Sequence, residues 1–266
     1  MKETIIMVHG MMGGAWYWAN YKNFFEEKGC DCVVPTLRYH NVDPNSEPNP
    51  NLGTVGVLDY VRDIEGEIER LENLGKIENP PILVGHSMGG LIVLLVTSRG
   101  IISTKAAVLI TPAPPYGIFS LKFSPIKTFS NVMKVGGWWR KPFRLSYEKF
   151  SYSILNLLPE SERRDTYQKF VYESGRALFQ IGLWFLDREK STKVDYKNIN
   201  CPVLIIAGKK DRITPSSAVR KIGKKIKNST YKEFPNNAHW IIGEKGWEES
   251  AEFIYQWLQK VNQNHA

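Results

Sequence analysis

Cysteine is scarce in this chain of 266 residues, which contains Cys30, Cys32 and Cys201. Cys30 and Cys32 flank Asp31, too close together for an easy disulfide, and no Cys/His cluster has the spacing of metal ligands. We therefore expect reduced structural thiols, no bound metal ion and no cysteine nucleophile. Long apolar runs are also missing, since none approaches the ~18–20 consecutive apolar residues that a membrane span requires.

Signals for export and for nucleic-acid binding are missing as well. The chain enters a strand-like segment at residue 5 with no h-region or cleavage site of a signal peptide, so we expect a cytoplasmic protein. The net charge is +8, but the sequence has no recognised nucleic-acid motif. Residues 1–112 carry 9 basic and 13 acidic side chains, whereas residues 113–193 carry 14 and 7. We interpret the basic segment as a solvated face, and expect a small-molecule substrate with neither nucleic acid nor an integral membrane contact.

Strand-like and helix-like segments alternate along most of the chain. The predicted strands are Thr4–Val8, Cys32–Pro35, Ile82–Val84, Ala106–Ile110, Val203–Ala207 and Thr230–Phe234. The predicted helices are Asn20–Lys28, Val57–Leu74, Ser87–Arg99, Ser216–Lys227 and Trp247–Val261. The apolar strands lack in/out alternation, as in a parallel sheet that is buried on both faces. Repeating βα units predict an α/β fold, a doubly wound and mostly parallel sheet of about six strands.

The βα rhythm fails over residues 113–193, which are basic and aromatic. We interpret this segment as a helical cap inserted between two parts of an α/β core, residues 1–112 and 194–266. Within it, Pro114–Phe129 looks irregular. Helices are predicted at Tyr147–Leu157, Glu160–Tyr172 and Glu173–Asp187.

Four cap side chains are candidates for a substrate pocket. Trp138, Trp139 and Trp184 could line an acyl pocket or could anchor the cap. Either Arg176 or Ser174 could reach a substrate carbonyl, or Arg176 could pair with a nearby acid. We favour packing and pairing for the Arg176 helix, because aromatic residues at helical spacing usually pack on a core. The cap is expected to select substrates and not to perform chemistry.

A nucleophile elbow is indicated at Gly85–Gly89, with the sequence Gly-His-Ser-Met-Gly. A strand-like run precedes it and an apolar run long enough for a buried helix follows it. In such a strand–turn–helix the strained turn presents the serine oxygen, and the glycines let strand and helix pack closely. Ser87 is therefore the candidate nucleophile.

One of the five histidines has the position expected of a catalytic base. In elbow enzymes the chain order is serine, acid, histidine. His239 lies after the last predicted strand and before the last helix, where a side chain can reach the carboxyl edge of the sheet. The remaining histidines lie upstream of the elbow, within it or in the C-terminal tail: His9, His40, His86 and His265.

Asp211 is the leading candidate for the acid. It directly follows the strand Val203–Ala207, in the turn before a predicted helix, whereas Asp187 and Asp195 do not follow a strand. A carboxylate there would orient the imidazole that takes the serine proton. The alternatives are that Asp211 caps the helix or pairs with a lysine.

The loop after the first strand, His9–Gly14, is rich in glycine and is expected to hold an oxyanion. One backbone N–H donor should come from Met88, the residue after the nucleophile. The second should come from Met11, with Met12 as the fallback. A phosphate-binding loop is the alternative, but the Lys-Ser/Thr pair and the G-x-G-x-x-G spacing are missing.

With these motifs the chain resembles the α/β-hydrolase superfamily. The matching stretches are Val8–Gly10, Gly85–Gly90, Ala207–Asp211 and Ala238–His239. The residues Gly14–Trp18 also look like the small esterase and hydroxynitrile-lyase group. The resemblance implies cofactor-free hydrolysis of esters, thioesters, lactones, amides or certain C–C bonds. A serine at the elbow argues against haloalkane dehalogenases and epoxide hydrolases, which place an aspartate there.

The sequence favours a serine carboxylic-ester hydrolase, a carboxylesterase, that acts on small to medium hydrophobic esters through an acyl-enzyme. Its expected triad is Ser87, Asp211 and His239. A lactonase, thioesterase, C–C hydrolase or hydroxynitrile lyase with the same residues is the neighbouring hypothesis. A small-molecule receptor on a hydrolase fold is the hypothesis from another class, and the complete set of catalytic residue types argues against it.

Overall fold

The computed structural model describes residues 2–119 and 122–263, and in these ranges six strands form one parallel sheet. The strands are β1 (Thr4–Val8), β2 (Asp31–Val33), β3 (Ile82–His86), β4 (Ala106–Ile110), β7 (Val203–Gly208) and β8 (Thr230–Phe234). Their order across the sheet is β2-β1-β3-β4-β7-β8, with every neighbouring pair parallel. The predicted α/β sheet is confirmed, and each predicted strand has a counterpart within two residues of its bounds.

Helices cover both faces of this sheet. The core helices are α1 (Ala19–Glu27), α2 (Val57–Asn73), α3 (Met88–Arg99), α8 (Ser216–Gly223) and α9 (Trp247–Gln263). Alternate side chains of β1 belong to two separate cores. Ile6 and Val8 pack with α2, α3 and α8, whereas Ile5 and Met7 pack with α1 and α9. The strands are buried on both faces, so a site must lie at an edge of the sheet. In open α/β sheets that edge is the one formed by the carboxyl ends of the strands.

The insertion segment, residues 113–193, contains four α-helices and a short pair of strands in its described part. Its elements are α4 (Phe123–Met133), β5 (Pro142–Phe143), α5 (Tyr147–Ser153), α6 (Glu160–Gln168), β6 (Glu173–Ser174) and α7 (Gly175–Gly182). The strands β5 and β6 pair antiparallel. The predicted helices at 147–157 and 160–172 are therefore present but shorter.

Two predictions for the insertion segment are wrong. The stretch Pro114–Phe129 was expected to be irregular, yet α4 begins at Phe123. Pro125 lies in the first turn of α4, where a helix has no intrahelical partner for the missing N–H. Positions 120 and 121 of that stretch, like His265, lie outside the described residues.

The second error is the single helix expected over Glu173–Asp187. Glu173 and Ser174 are in β6, and the helix begins only at Gly175. The Ser174 hydroxyl accepts the N–H of Ala177 at 3.2 Å, which caps the helix at this point. After Gly182 the chain leaves the helix and makes a 3₁₀ turn at Trp184–Leu186.

Three features concern disulfides, metal binding and membrane-spanning helices. Cys30, Cys32 and Cys201 are not joined in disulfides. Across residues 2–119 and 122–263, no cluster of three or more His, Cys, Asp or Glu side chains has the arrangement of a metal site. Within the same ranges, no helix combines the length and the apolar content of a membrane-spanning segment.

Candidate active site

The turn between β3 and α3 has the geometry of a nucleophile elbow. Ser87 has a φ of 55° and a ψ of −119°, a conformation that residues other than glycine rarely adopt. The two glycines that flank it, Gly85 and Gly89, have no space for a side chain. A Cβ on Gly85 would lie 2.2 Å from the carbonyl oxygen of Gly89, and one on Gly89 would lie 2.1 Å from that of Val8. The strained turn is therefore held by close backbone packing at the carboxyl end of β3.

A chain of hydrogen bonds joins Ser87, His239 and Asp211. The Oγ of Ser87 lies 2.9 Å from Nε2 of His239, and Nδ1 of His239 lies 2.8 Å from Oδ2 of Asp211. When Nδ1–H donates to the carboxylate, Nε2 accepts from the serine hydroxyl, as a general base must. All three side chains are buried. The structure thus brings together three residues that the sequence predicted as partners.

Asp211 is fixed by donors other than the histidine. Its Oδ1 accepts the N–H groups of Ile213 and Thr214, at 2.6 and 2.9 Å. Its Oδ2 accepts the Thr214 hydroxyl at 2.8 Å and also faces His239. The carboxylate therefore has one orientation in which every donor is satisfied, and in that orientation it faces Nδ1 of the imidazole.

The two alternative acids have other partners. Asp187 accepts the N–H of Ser191 at 2.7 Å, in the loop after the last 3₁₀ turn of the insertion segment. Asp195 accepts the N–H of Lys197 at 3.2 Å, at the start of another 3₁₀ turn. Of the three candidate acids, Asp211 is the one that the structure brings to the imidazole.

His86, within the elbow, supports the loop that carries His239. Its Nε2–H donates to the carbonyl oxygen of His239 at 2.7 Å. Burial, and then the neighbouring His239, hold the pKa of His86 well below its ordinary value. The ring is therefore neutral and adds no positive charge that would oppose protonation of His239.

Met11 and Met88, the predicted oxyanion donors, line the same cavity as Ser87. Met88 is the first residue of α3, where a backbone N–H has no intrahelical acceptor. The loop that carries Met11 approaches the elbow closely because residue 10 is glycine. A Cβ on Gly10 would lie 3.0 Å from the Cβ of Ser87.

Hydrogen bonds fix the direction of the Met11 N–H. The carbonyl oxygen of Gly10 accepts the N–H of Gly13 at 3.2 Å and Nδ1–H of His9 at 2.8 Å. Nε2 of His9 accepts the N–H of Leu37 at 3.1 Å, and burial lowers the pKa of His9 to about 3, so the ring is neutral. A trans peptide directs its C=O and N–H oppositely, so the held carbonyl of Gly10 sets the direction of the Met11 N–H.

A buried carboxylate from the insertion segment meets the same turn. Oε2 of Glu173 accepts the N–H of Met12 and Nε2–H of His40, both at 3.1 Å. Its Oε1 accepts the hydroxyl of Tyr60 and the N–H of Ser174, both at 2.7 Å. Burial opposes both charges, but their attraction prevails: the pKa of His40 is raised and the pKa of Glu173 is lowered. The Met12 N–H, the fallback oxyanion donor, is thus already engaged.

An apolar cavity of about 450 Å³ opens at Ser87. Most of its wall comes from the insertion segment, chiefly from α4, from α7 and from the stretches before and after them. Its apolar lining includes Ile118, Phe119, Ile126, Phe129, Leu178 and Trp184. Few polar side chains line it, among them those of Ser87, Thr214 and Lys122. The cavity therefore suits an apolar group attached to the carbon that Ser87 would attack.

One of the four predicted pocket residues lines this cavity, and the other three do not. Trp184 lies in its wall, with its ring centroid 4.5 Å from that of Phe119. Trp138, Trp139 and Arg176 instead line a separate hollow on the insertion segment. Trp138 is buried in the core beneath that hollow, which is the anchoring role that the sequence left open. Arg176 pairs with Glu189 at 3.4 Å.

Three kinds of residue at this site were not predicted from the sequence. Thr214 had a signal, because it lies in the same strand-to-helix turn as Asp211 and carries a hydroxyl. Phe119 and Phe129 had none, because their position depends on how α4 packs. Glu173 had a weak signal, an acidic residue that directly follows the apolar stretch Phe170–Tyr172.

The parallel sheet, the elbow after β3 and the histidine loop after β8 together form the arrangement of an α/β hydrolase. A family model described as the alpha/beta hydrolase fold matches residues 3–246. The chain therefore belongs to the alpha/beta hydrolase fold family, and the predicted superfamily is confirmed.

Individual relatives match this chain either over a short stretch or at low sequence identity. Methylesterase 7 from Arabidopsis thaliana is 32% identical over 91 residues, which is 34% of this chain and 32% of that protein. The match thus spans about a third of the relative's length. An extracellular alpha/beta-hydrolase from a Paenibacillus species superposes with a TM-score of 0.72 at 17% identity, over 96% of this chain and 98% of that one. A methylesterase structure from Arabidopsis gives 0.70 at 14% identity, over 97% and 99%.

Proposed function

We propose that the protein is a serine carboxylic-ester hydrolase that works through an acyl-enzyme. The observation that carries the proposal is the unbroken chain of hydrogen bonds from Ser87 through His239 to Asp211, which begins at the floor of an apolar cavity. A buried imidazole held between a hydroxyl and a carboxylate is the arrangement that activates a serine.

The acylation half of the reaction follows from this geometry. Oγ of Ser87 attacks the ester carbonyl while Nε2 of His239 takes the hydroxyl proton. The carbonyl oxygen becomes an oxyanion, which the N–H groups of Met11 and Met88 stabilise. The intermediate then collapses, His239 returns the proton to the leaving alkoxide, and the alcohol departs.

Deacylation repeats these steps with water as the nucleophile. Nε2 of His239 takes a proton from the water, whose oxygen attacks the acyl carbon on Ser87. Collapse of the second tetrahedral intermediate breaks the bond to Oγ, and the proton returns to Ser87. Asp211 keeps Nδ1 as the donor throughout and stabilises the imidazolium that forms twice in each cycle.

The cavity supports an apolar acyl or alcohol group of small to medium size. The local similarity to methylesterases adds methyl esters of apolar carboxylic acids to the candidate substrates. Lactones and thioesters require the same residues, so a substrate panel decides among these classes. A receptor without turnover would not need the elbow strain at Ser87 or the carboxylate behind His239.

The test compares wild type with Ser87→Ala on p-nitrophenyl acetate, butyrate and octanoate, followed by methyl esters, thioesters and lactones. Ser98→Ala is a matched control, because Ser98 is also buried and lies in α3, with its hydroxyl donating to the carbonyl of Leu95. Loss of a triad serine lowers kcat by roughly 10⁶ in subtilisin. We expect Ser87→Ala to abolish turnover and Ser98→Ala to retain it. A folded Ser87→Ala protein with activity within tenfold of wild type would refute the proposal.

A further inference from the structure

A buried polar cluster, made up of Glu173, His40, Tyr60 and Ser174, lies beside the proposed site and takes no part in the triad. We propose that Glu173 is a positioning residue for the turn Gly10–Gly13, and that it holds the peptide following Met11 through the N–H of Met12. The inference rests on the proposed function, because it takes Met11 as an oxyanion donor. It assigns to the insertion segment a role in the rate of reaction, in addition to lining the cavity.

The turn needs such support because Met12 has an unfavourable backbone conformation. Gly10–Gly13 is closed by the N–H of Gly13 donating to the carbonyl of Gly10, and Met12, its third residue, has a φ of 62°. A positive φ at this position of a turn usually requires glycine. Rotation of the Met11–Met12 peptide would relieve the strain. That rotation would turn the Met12 N–H away from its acceptor and would move Met11.

The insertion segment holds this residue on both sides. Oε2 of Glu173 accepts the Met12 N–H at 3.1 Å, and the carbonyl oxygen of Met12 accepts the N–H of Val171 at 2.9 Å. The peptide before Met12 and the peptide after it are thus both fixed by residues close together in the chain. The Gly10–Met11 peptide is held through the carbonyl of Gly10, so both peptides that flank Met11 are fixed.

The carboxylate is itself held in one orientation. Tyr60 and Ser174 occupy Oε1, while His40 shares Oε2 with the Met12 N–H. His40 also donates Nδ1–H to the carbonyl of Arg38 at 2.9 Å, so both of its ring nitrogens are donors. An ionised acceptor forms stronger and more directional hydrogen bonds than a neutral one. Glu173 therefore suits the task of restraining a strained peptide.

Glu173→Gln is the informative substitution. The two bonds to Oε1 are shorter than those to Oε2, so the amide oxygen should remain with Tyr60 and Ser174. The amide NH₂ then replaces Oε2. A neutral His40 can accept from it, but the Met12 N–H cannot, so this variant selectively breaks the bond to the turn.

Tyr60→Phe is the matched control. It removes one donor from the same carboxylate and leaves Oε2, with its bond to the Met12 N–H, in place. Both variants disturb the buried cluster, and only Glu173→Gln disturbs the turn. A purely structural role of the cluster would give the two variants similar kinetics.

The measurements are kcat and KM for p-nitrophenyl butyrate, the melting temperature, and inhibition by an alkyl trifluoromethyl ketone. That ketone forms a tetrahedral adduct on a serine and places an oxyanion where the ester would. Removal of one oxyanion donor costs about 10²–10³ in kcat, and displacing one should cost less. For Glu173→Gln we expect kcat to fall about 10- to 100-fold, KM to change less than about threefold, and the ketone to bind more weakly by a factor close to the loss in kcat.

The inference is overturned if Glu173→Gln and Tyr60→Phe have the same kcat and the same affinity for the ketone. If Glu173→Gln does not fold, Glu173→Asp takes its place. It keeps the charge opposite His40 and withdraws the carboxylate from the turn. A wild-type kcat for Glu173→Asp would also overturn the inference. Ser87→Ala separates the two proposals: hydrolysis that depends on Ser87 and is indifferent to Glu173 refutes only the positioning role.

Discussion

Asp211→Asn gives the sharpest prediction for the proposed triad, because the structure shows why no orientation of an amide satisfies the site. Oδ1 faces the N–H groups of Ile213 and Thr214, and Oδ2 faces Nδ1 of His239 and the Thr214 hydroxyl. An amide NH₂ in either position would face hydrogen-bond donors of the protein and could not accept from them. If it replaces Oδ2, the imidazole is driven to the tautomer with the proton on Nε2, which cannot accept from Ser87.

The size of the effect follows from this tautomer change. In serine proteases the same substitution lowers kcat by about 10⁴. Because Thr214 could reorient its hydroxyl toward the carbonyl of Thr111, which it already contacts at 2.9 Å, some structural relief is available here. We expect a fall of about 10³ to 10⁴ in kcat/KM, equivalent to about 4–5.5 kcal/mol of transition-state stabilisation.

The assay is hydrolysis of p-nitrophenyl acetate, with thermal melts to show that the variant is folded. Asp187→Asn is the matched control, because Asp187 is also a buried carboxylate that accepts a backbone N–H. We expect the control to stay within about threefold of wild type, since the contacts of Asp187 do not include the site. If Asp187→Asn or Asp195→Asn were the more damaging change, Asp211 would not be the acid.

Four further outcomes are expected. Trp184→Ala should shift the preferred acyl chain to greater length and leave acetate hydrolysis nearly unchanged, because apolar pockets discriminate by about 1–3 kcal/mol per methylene. Trp138→Ala, outside the cavity, should lower the melting temperature without changing that preference. Gly89→Ala should destabilise the fold, because its Cβ would lie 2.1 Å from the Val8 carbonyl oxygen; an unchanged melting temperature would contradict the close packing. The stability lost in Glu173→Gln should depend on pH. The pKa of His40 is raised in the folded state, so His40 contributes its full stability below its ordinary pKa of 6.5. The pKa of Glu173 is lowered in the folded state, so Glu173 contributes its full stability above its ordinary pKa of 4.5. Denaturant unfolding should therefore show the largest difference from wild type between about pH 4.5 and 6.5, declining as pH rises through the raised pKa of His40; a difference that grew at alkaline pH would contradict the ion pair.

The sheet and the three hydrogen-bonded residues were predictable for the same reason. Each of Ser87, Asp211 and His239 follows a strand within a short turn, and the carboxyl ends of parallel strands meet at one edge. Local sequence therefore carries the position of each residue, and topology brings them together. The elbow glycines add an independent signal, because close backbone approach restricts those positions to glycine.

The cavity wall was not predictable in this way. The start of α4 at Phe123 was not predicted, and Pro125 does not prevent it, because the first helical turn tolerates proline. Trp138 and Arg176 were candidates for the substrate pocket, but which side of the insertion segment faces Ser87 depends on tertiary packing, and neither residue lines the cavity. The predicted division of the chain into a core and a cap at residues 113–193 stays a prediction. Glu173 is the extreme case, because its partners His40 and Tyr60 lie more than a hundred positions earlier in the chain and share no motif with it.

The insertion segment therefore meets the proposed site in two physically different ways. Through Trp184 and its apolar neighbours it contacts the space where a substrate chain would lie, and such contacts act on one substrate relative to another. Through Glu173 and Val171 it contacts the backbone of the turn that carries Met11, and under the proposed function such contacts would act on the oxyanion that every ester forms. Substitutions of the first kind should change the order of substrates, whereas those of the second kind should lower the rate on all of them by a common factor. A segment that only covered the cavity would produce the first pattern alone.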